Sequence, residues 1–484
     1  MNIKTFASAA TLSAFGLAAI TALADPPDSP LTLARDSTGS VGVWNTNGPL
    51  DRSGPFFRSL GTNGRSCSTC HDPAEAMTFT PAHSKMVFAR THGSDPLFAP
   101  VDGANCDNVA ASDRAGHSLI LQNGLIRIAL AVPEDAQFSI SVVSDPYNCA
   151  LRIDPKTGVL TASVYRRPLP STNLEFLSTV MFDGRETVAP LTSEASDAAN
   201  LRADLSHQAI DATTGHAQAS APPTPAQVDA IVDFELGLYT AQVSDNGAGA
   251  LDADGATGGP QNLSTQVYYP GINDALGADP HGNPFNKNAM QTYAAWGQSQ
   301  HGARAQIAAG EKLFNTASLT ITGVRGINDN AALGKPASLK GTCSTCHDAP
   351  NVGDHSLPLP LDIGTSHTAD PEFESDPNIS RAVRELSMPR LPLFLISGCP
   401  DPFNPGQTAS FYTTDPGKAL ISGSCSDFNR VKGPILHGLA ARAPYFHNGA
   451  AATLREVVDF YNERFQMKLT EKQKQELIAF LNSL

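Results

Sequence analysis

The sequence predicts a mainly α-helical protein of two tandem domains, with long loops and a small β insertion in the first. Two repeats predict it. The hexapeptide Cys-Ser-Thr-Cys-His-Asp occurs at 67–72 and again at 343–348, 276 residues later. Residues 224–238 (TPAQVDAIVDFELGL) and 470–484 (TEKQKQELIAFLNSL) each open on Thr with Gln three residues on, the signature of a capping box. Ile231/Leu477, Val232/Ile478, Phe234/Phe480 and Leu238/Leu484 then match at helical spacing. A Cys/His motif followed at long interval by an amphipathic closing helix, twice, reads as a duplicated domain.

C-x-x-C-H is the attachment signature of a c-type haem. One turn of chain sets both thiols beside the two vinyl groups, and the next residue puts an imidazole under the iron. Cys67, Cys70, Cys343 and Cys346 would carry two covalently bound haem c groups, with His71 and His347 as axial ligands. A structural zinc site shared by the same four cysteines is the alternative, and the His directly after each second Cys argues against it. The domains are therefore expected to be of cytochrome c type.

In chain order, residues 1–24 read as a signal peptide. Lys4 is followed by an apolar run from about residue 7 to 20 and by Ala22-Leu23-Ala24, a cleavage pattern. The run is too short and too rich in Ser, Thr and Ala to span a bilayer, and the rest of the chain has no long apolar stretch. An exported, periplasmic protein with no membrane span is expected. The N-terminal domain covers 25–245. Within it, 138–143, 151–153 and 159–165 read as strands, with Asp154-Pro155-Lys156-Thr157-Gly158 as a turn, giving a β insertion at about 137–165. Residues 246–300 read as a linker, beginning in the Gly/Asp-rich stretch DNGAGALDADGATGGP. Asp252-x-Asp254-Gly255 echoes a calcium loop but lacks the rest of that motif, so a surface turn is expected. The C-terminal domain covers 301–484, with helices at 304–314, after the capping pair Thr453/Glu456, and after Thr470. In an oxidising compartment the remaining cysteines would pair within each half, Cys106 with Cys149 and Cys399 with Cys425.

Composition bounds the function. Of 484 residues, 41% are hydrophobic and 17% charged, which excludes a disordered acidic chain or a coiled coil. The net charge of −14 disfavours nucleic acid and anionic membranes and suits a basic protein partner.

The segment ARAPYFHNGAAATLREVVDFYN at 441–462, MFDGRE at 181–186 and YRRPLPSTN at 165–173, together with the two C-x-x-C-H motifs, resemble the bacterial di-haem cytochrome c peroxidase and MauG superfamily. The resemblance runs over nearly the whole mature chain. It implies a hydrogen-peroxide-dependent oxidoreductase in which the first haem, on His71, reacts with peroxide and the second, on His347, relays electrons. A small basic cytochrome c or a cupredoxin would be the electron donor. The second haem's other axial ligand is a Met or a Tyr in that family, and counting along the helix gives Tyr461, with Met467 as rival. His447 would orient a loop or a propionate, and His437 stands where the family often has Arg. Calcium between the domains is a candidate, although Arg167 falls near the place of its Asn ligand.

The sequence departs from the family at two places. Phe182 replaces the Trp expected between the haems, and Phe is not oxidised at accessible potentials. After Phe-Asp-Gly-Arg the family has a Gln and, ten residues on, a carboxylate. Here Gln208 and Gln218 keep the spacing and the acid is gone. Peroxide cleavage needs a group that takes a proton from one oxygen and returns it to the other. Histidine, with a pKa of about 6.5, can do this. His216 is therefore expected as acid/base, with Gln208 as polar neighbour. A surface-loop histidine is the bland alternative. His83, His92, His117 and Met77 are candidates to cap the first iron. Two other functions stay open: an electron carrier with both haems six-coordinate, and an oxygen-using enzyme resembling rubber oxygenases.

Overall fold

The computed structural model describes residues 21–22, 28–155, 157–188, 194–277, 279–299, 301–356, 360–401 and 406–484. Apart from Thr21 and Ala22, the expected signal peptide lies outside the described residues.

The protein is not mainly α-helical. Among the described residues, helix accounts for 31% and strand for 17%, the latter in four sheets. The excess of strand comes from segments whose pairing partners are far away in sequence. Leu31–Arg35 and Gly39–Asn45 form a hairpin, and Gly39–Asn45 pairs in turn with Leu238–Asp245. The predicted helix ending at Leu238 therefore stops two residues early. Pro225–Leu236 is helical and capped by the reciprocal Thr224/Gln227 box, Gly237 closes it, and Leu238 opens a buried strand. The β insertion is also rearranged. Leu151–Ile153 and Leu160–Arg166 form a sheet with Ile126–Ala131. Ser139–Ser144 instead pairs with Leu393–Pro400 of the second half, which pairs with Thr408–Thr413.

The predicted helices of the second half are present. Ala303–Thr316 packs against the closing helix Glu471–Asn482, itself capped by the Thr470/Gln473 box. Gly310 permits the crossing: a Cβ there would lie 2.0 Å from the Glu476 carbonyl oxygen and 2.7 Å from Phe480 Cβ. Thr453 caps Leu454–Arg464, but the Glu456 carboxylate reaches Ala452 N and the Ser387 N–H and hydroxyl instead of closing the box. The 246–300 segment is packed rather than extended: Leu251, Tyr293 and Trp296 share a core with Leu477, Phe480 and Leu484.

Cys399 and Cys425 are disulfide-bonded, with Cα atoms 5.6 Å apart. Cys106 and Cys149 are not: both are buried free thiols. The two thiols are neighbours, with Cys149 Sγ also donating to Asn105 O at 3.3 Å and Cys106 Sγ to Asp107 Oδ1 at 3.6 Å.

One buried ion network ties the halves together. Arg166, 1% exposed, donates Nε and Nη2 to the Asp415 carboxylate at 2.6 and 2.9 Å and Nη1 to Asp183. Burial opposes its charge, but Asp415 and Asp183 outweigh burial and hold the guanidinium firmly protonated.

Candidate functional site

The two hexapeptides fold alike. Cys67–Thr69 and Cys343–Thr345 are single 3₁₀ turns, each started by a hydroxyl residue, Ser66 or Thr342, in a reciprocal box with the Thr of the motif. The turn brings His71 N to Cys67 O at 3.0 Å and His347 N to Cys343 O at 2.9 Å. In both copies the imidazole Nδ1–H donates to the carbonyl six residues on, His71 to Met77 at 3.1 Å and His347 to Gly353 at 3.0 Å. This fixes the tautomer and leaves Nε2 as the basic nitrogen. The returning loop needs left-handed backbone, at Ala76 and Met77 (φ 55° and 60°) in the first copy and at Asn351 and Gly353 (both 63°) in the second. Burial pushes both imidazoles down to about 4, so they are neutral and able to ligate.

None of the four motif cysteines is disulfide-bonded. Cys67, Cys70 and His71 lie on the wall of one cavity of about 180 Å³, whose other walls are largely apolar, with Leu174, Val180, Leu205 and Ile231 among them. Two thiols and a neutral imidazole facing an apolar space are the donor set of a covalently attached haem, and the second motif repeats that donor set.

His216 and Gln208 line the same cavity. Gln208 lies within Glu194–Gly215, a 22-residue helix, and His216 just beyond its end. His216 Nδ1 bonds the Asp102 carboxylate, and Asp102 bonds Arg65, the residue before Ser66. Asp102 and Arg65 are 4% and 3% exposed, whereas the His216 side chain is 39% exposed. Burial works against the Asp102 charge, but Arg65 and His216 overcome it and hold the carboxyl below its usual range. The ring of His216 is thus oriented by an ionised carboxylate, with Nε2 left free to accept or give a proton. Gln218 does not line the cavity; it is exposed, with its side-chain oxygen facing Asn63 Nδ2 at 3.4 Å.

Around the second motif, Cys346, Tyr461 and Met467 share one apolar cluster with Leu361 and Phe465. Burial, and then the nearby Cys346, raise the Tyr461 hydroxyl well above its usual value. Of the other histidines and Met77, none faces the first cavity with a free side chain. His83 bonds Glu75 at 3.1 Å, His117 is held by Asp113 O and Phe98 O, and His92 is an exposed left-handed helix end. Met77 lies in the core and offers its carbonyl to His71. His437 also lines the cavity but is held between Asn351 O and Leu484 O. His447 bonds Ser366 Oγ at 3.2 Å, and its ring meets Phe182 edge-on at 5.9 Å.

Besides Asp102, a second acid of the cavity escaped the sequence reading. Glu235 lines the first cavity, is 5% exposed, accepts from the Ser171 hydroxyl and leaves its second oxygen without a partner. The signal was present: Val228, Ile231, Val232 and Glu235 follow the i, i+3, i+4, i+7 spacing of a buried helix face. Burial pushes Glu235 from 4.5 up to about 7, partly countered by the Ser171 hydrogen bond. The folded state thus holds this proton more tightly than the unfolded chain. The stabilisation it contributes is complete below pH 4.5 and is lost as pH rises through about 7. Glu235→Gln is expected to flatten this part of the stability profile. Urea titrations at several pH values check it, and an unchanged slope between wild type and variant contradicts it.

No family model matches the chain. It is similar to a cytochrome-c peroxidase, IdrP2, of Denitromonas iodatirespirans, 33% identical over 152 residues, which are 30% of this chain and 36% of that protein. It is also similar to the cytochrome-c peroxidase IdrP1 of Pseudomonas sp. (strain SCT), 26% identical over 159 residues, and of D. iodatirespirans, 27% over 162, each covering 30% of this chain and 37% of the relative. The chain thus spans about a third of the length of the curated relatives it matches. Among the described residues, no helix is long and apolar enough to cross a membrane.

Proposed function

We propose that the protein is a periplasmic two-haem c-type cytochrome that reduces hydrogen peroxide, in the manner of a cytochrome c peroxidase. The observation that carries this reading is the His216–Asp102–Arg65 chain placed with Gln208 on the wall of the cavity that holds Cys67, Cys70 and His71. The name of these relatives, cytochrome-c peroxidase, supports the same reaction class.

Cys67 and Cys70 would hold the first haem and His71 Nε2 its iron; Cys343, Cys346 and His347 would hold the second. When bound, the first haem supplies an iron on which peroxide is polarised and reduced, and the second supplies electrons to it. The protein's own part is proton handling and exclusion of water. Asp102 keeps the proton of His216 on Nδ1, so Nε2 can take a proton from the near oxygen of peroxide and return it to the far oxygen, which leaves as water. Gln208 cannot exchange that proton but would hydrogen-bond a peroxide oxygen in the cavity. Per peroxide, two electrons from the donor and two further protons yield two waters. The partial exposure of His216 gives it a proton route to solvent.

The electron donor is a small basic cytochrome c or cupredoxin attracted to the −14 chain. The test is stopped-flow oxidation of such a reduced donor by peroxide in the presence of the protein. Turnover is expected, with a second-order donor rate that falls steeply as ionic strength rises, since exposed charges are screened beyond about 10 Å at 0.1 M salt. No peroxide-dependent oxidation would sink the reading, and salt-independent rates would sink the basic donor.

A further inference from the structure

The first cavity is completed by basic residues from the other half of the chain. Of the cations on its wall, Arg58 is exposed and Arg65 is paired with Asp102. Lys432 and Arg442 are different. Lys432 is 5% exposed and, among the described residues, has no carboxylate within 4.0 Å of Nζ; Asp354 acts on it only from farther off. Arg442 donates Nη2 to Ile435 O at 2.9 Å, and its buried Nε has no partner. Arg442 weakens the charge of Lys432, and of Arg167, which is held by the carbonyls of Gly124 and Phe79. Burial depresses all three, to about 9 for Arg167 and about 10 for Arg442. Buried cations without a directly paired carboxylate are costly, and the cost is relieved when an anion enters.

The backbone holds Lys432 at this wall. Its N–H donates to Phe182 O at 2.7 Å. Gly433 then packs against His355, where a Cβ would lie 2.5 Å from the ring.

We propose that Lys432 and Arg442 bind the two porphyrin carboxylates of the haem attached at Cys67 and Cys70, so that the second half of the chain supplies the anion clamp for the cofactor of the first. A porphyrin carries its carboxylates on the edge away from the vinyl groups that the thiols take. Covalent anchoring at one edge and ion pairing at the other fix the ring in its plane. Neutralising the carboxylates also removes negative charge that would favour ferric iron, so the clamp raises the potential of this haem. The proposal rests on haem attachment at the first motif and not on peroxide chemistry.

The test is potentiometric titration of the full-length haem-loaded protein, with haemopeptide masses to establish which cysteines are loaded. Lys432→Met and Arg442→Met are each expected to shift the midpoint potential of one haem downward and leave the other in place. The propionate bands of the resonance Raman spectrum should move in the same variants, and Lys432→Arg should keep the wild-type values. A Met variant that fails to load the first motif, where Lys432→Arg loads it, supports the clamp as well. Loaded Met variants with both potentials and the propionate bands unchanged overturn it. A wild-type protein carrying haem only at Cys343 and Cys346 overturns it through its premise, a result the masses separate from the others.

Discussion

The His216→Ala protein is expected to lose peroxide turnover by about 10²–10⁴-fold, the usual worth of a positioned acid/base. Its absorption and EPR spectra before peroxide should match wild type, because His216 is oriented by Asp102 and not by any group that ligates iron. Asp102→Asn should fall in the same direction by a smaller factor. The amide can still contact the ring, but it no longer favours the Nδ1–H tautomer and leaves Arg65 without its counter-charge. Steady-state kcat and KM of both variants check the assignment. Turnover within threefold of wild type in His216→Ala would return the residue to an ordinary end-of-helix histidine. Gln218→Ala is the built-in control: that side chain is exposed and outside the cavity, so its turnover should be unchanged.

The largest effect on stability is expected from Arg166→Met. The guanidinium lies between Asp415 of the second half and Asp183 of the first, with side-chain exposures of 1% or less all round. Its removal strands two buried carboxylates. Asp183 keeps Arg185 at 3.0 Å, but among the described residues Asp415 keeps only His447 at 3.5 Å, a ring that burial pushes down to about 4, and the Gly417 N–H. Breaking such a pair costs about 3–5 kcal/mol. Urea unfolding of the haem-loaded variant measures it, and a loss under about 1 kcal/mol would contradict it. Adding Asp415→Asn should recover part of the loss, since the stranded charge is then gone.

The haem motifs and the capped helices were legible because their signals are local. Ser66, Cys67, Thr69, Cys70 and His71 sit within six residues, and Thr224/Gln227 and Thr470/Gln473 within four. The fold class was misread because its strands depend on distant partners. Ser139–Ser144 pairs with a strand some 250 residues on, and Leu238–Asp245 with Gly39–Asn45. Leu238 was absorbed into the helix repeat although Gly237 marks the helix end. At the site, Gln208 came from a ten-residue spacing and His216 from the need for a proton carrier nearby, whereas Asp102 is 114 residues from His216 and no periodicity announces it. Glu235 could have been found from the register of its helix. Lys432 and Arg442 could not, since nothing local shows that a segment of the second half closes the cavity of the first.

The most direct measurement of the central claim is the EPR and optical spectrum of the purified protein, ferric and half-reduced, before and after hydrogen peroxide. The account predicts one high-spin iron whose signal is consumed within the mixing time and returns when a reduced donor is added, with the His216→Ala protein slowed in that step. Two low-spin irons, inert to peroxide in both redox states, would contradict it and leave an electron carrier.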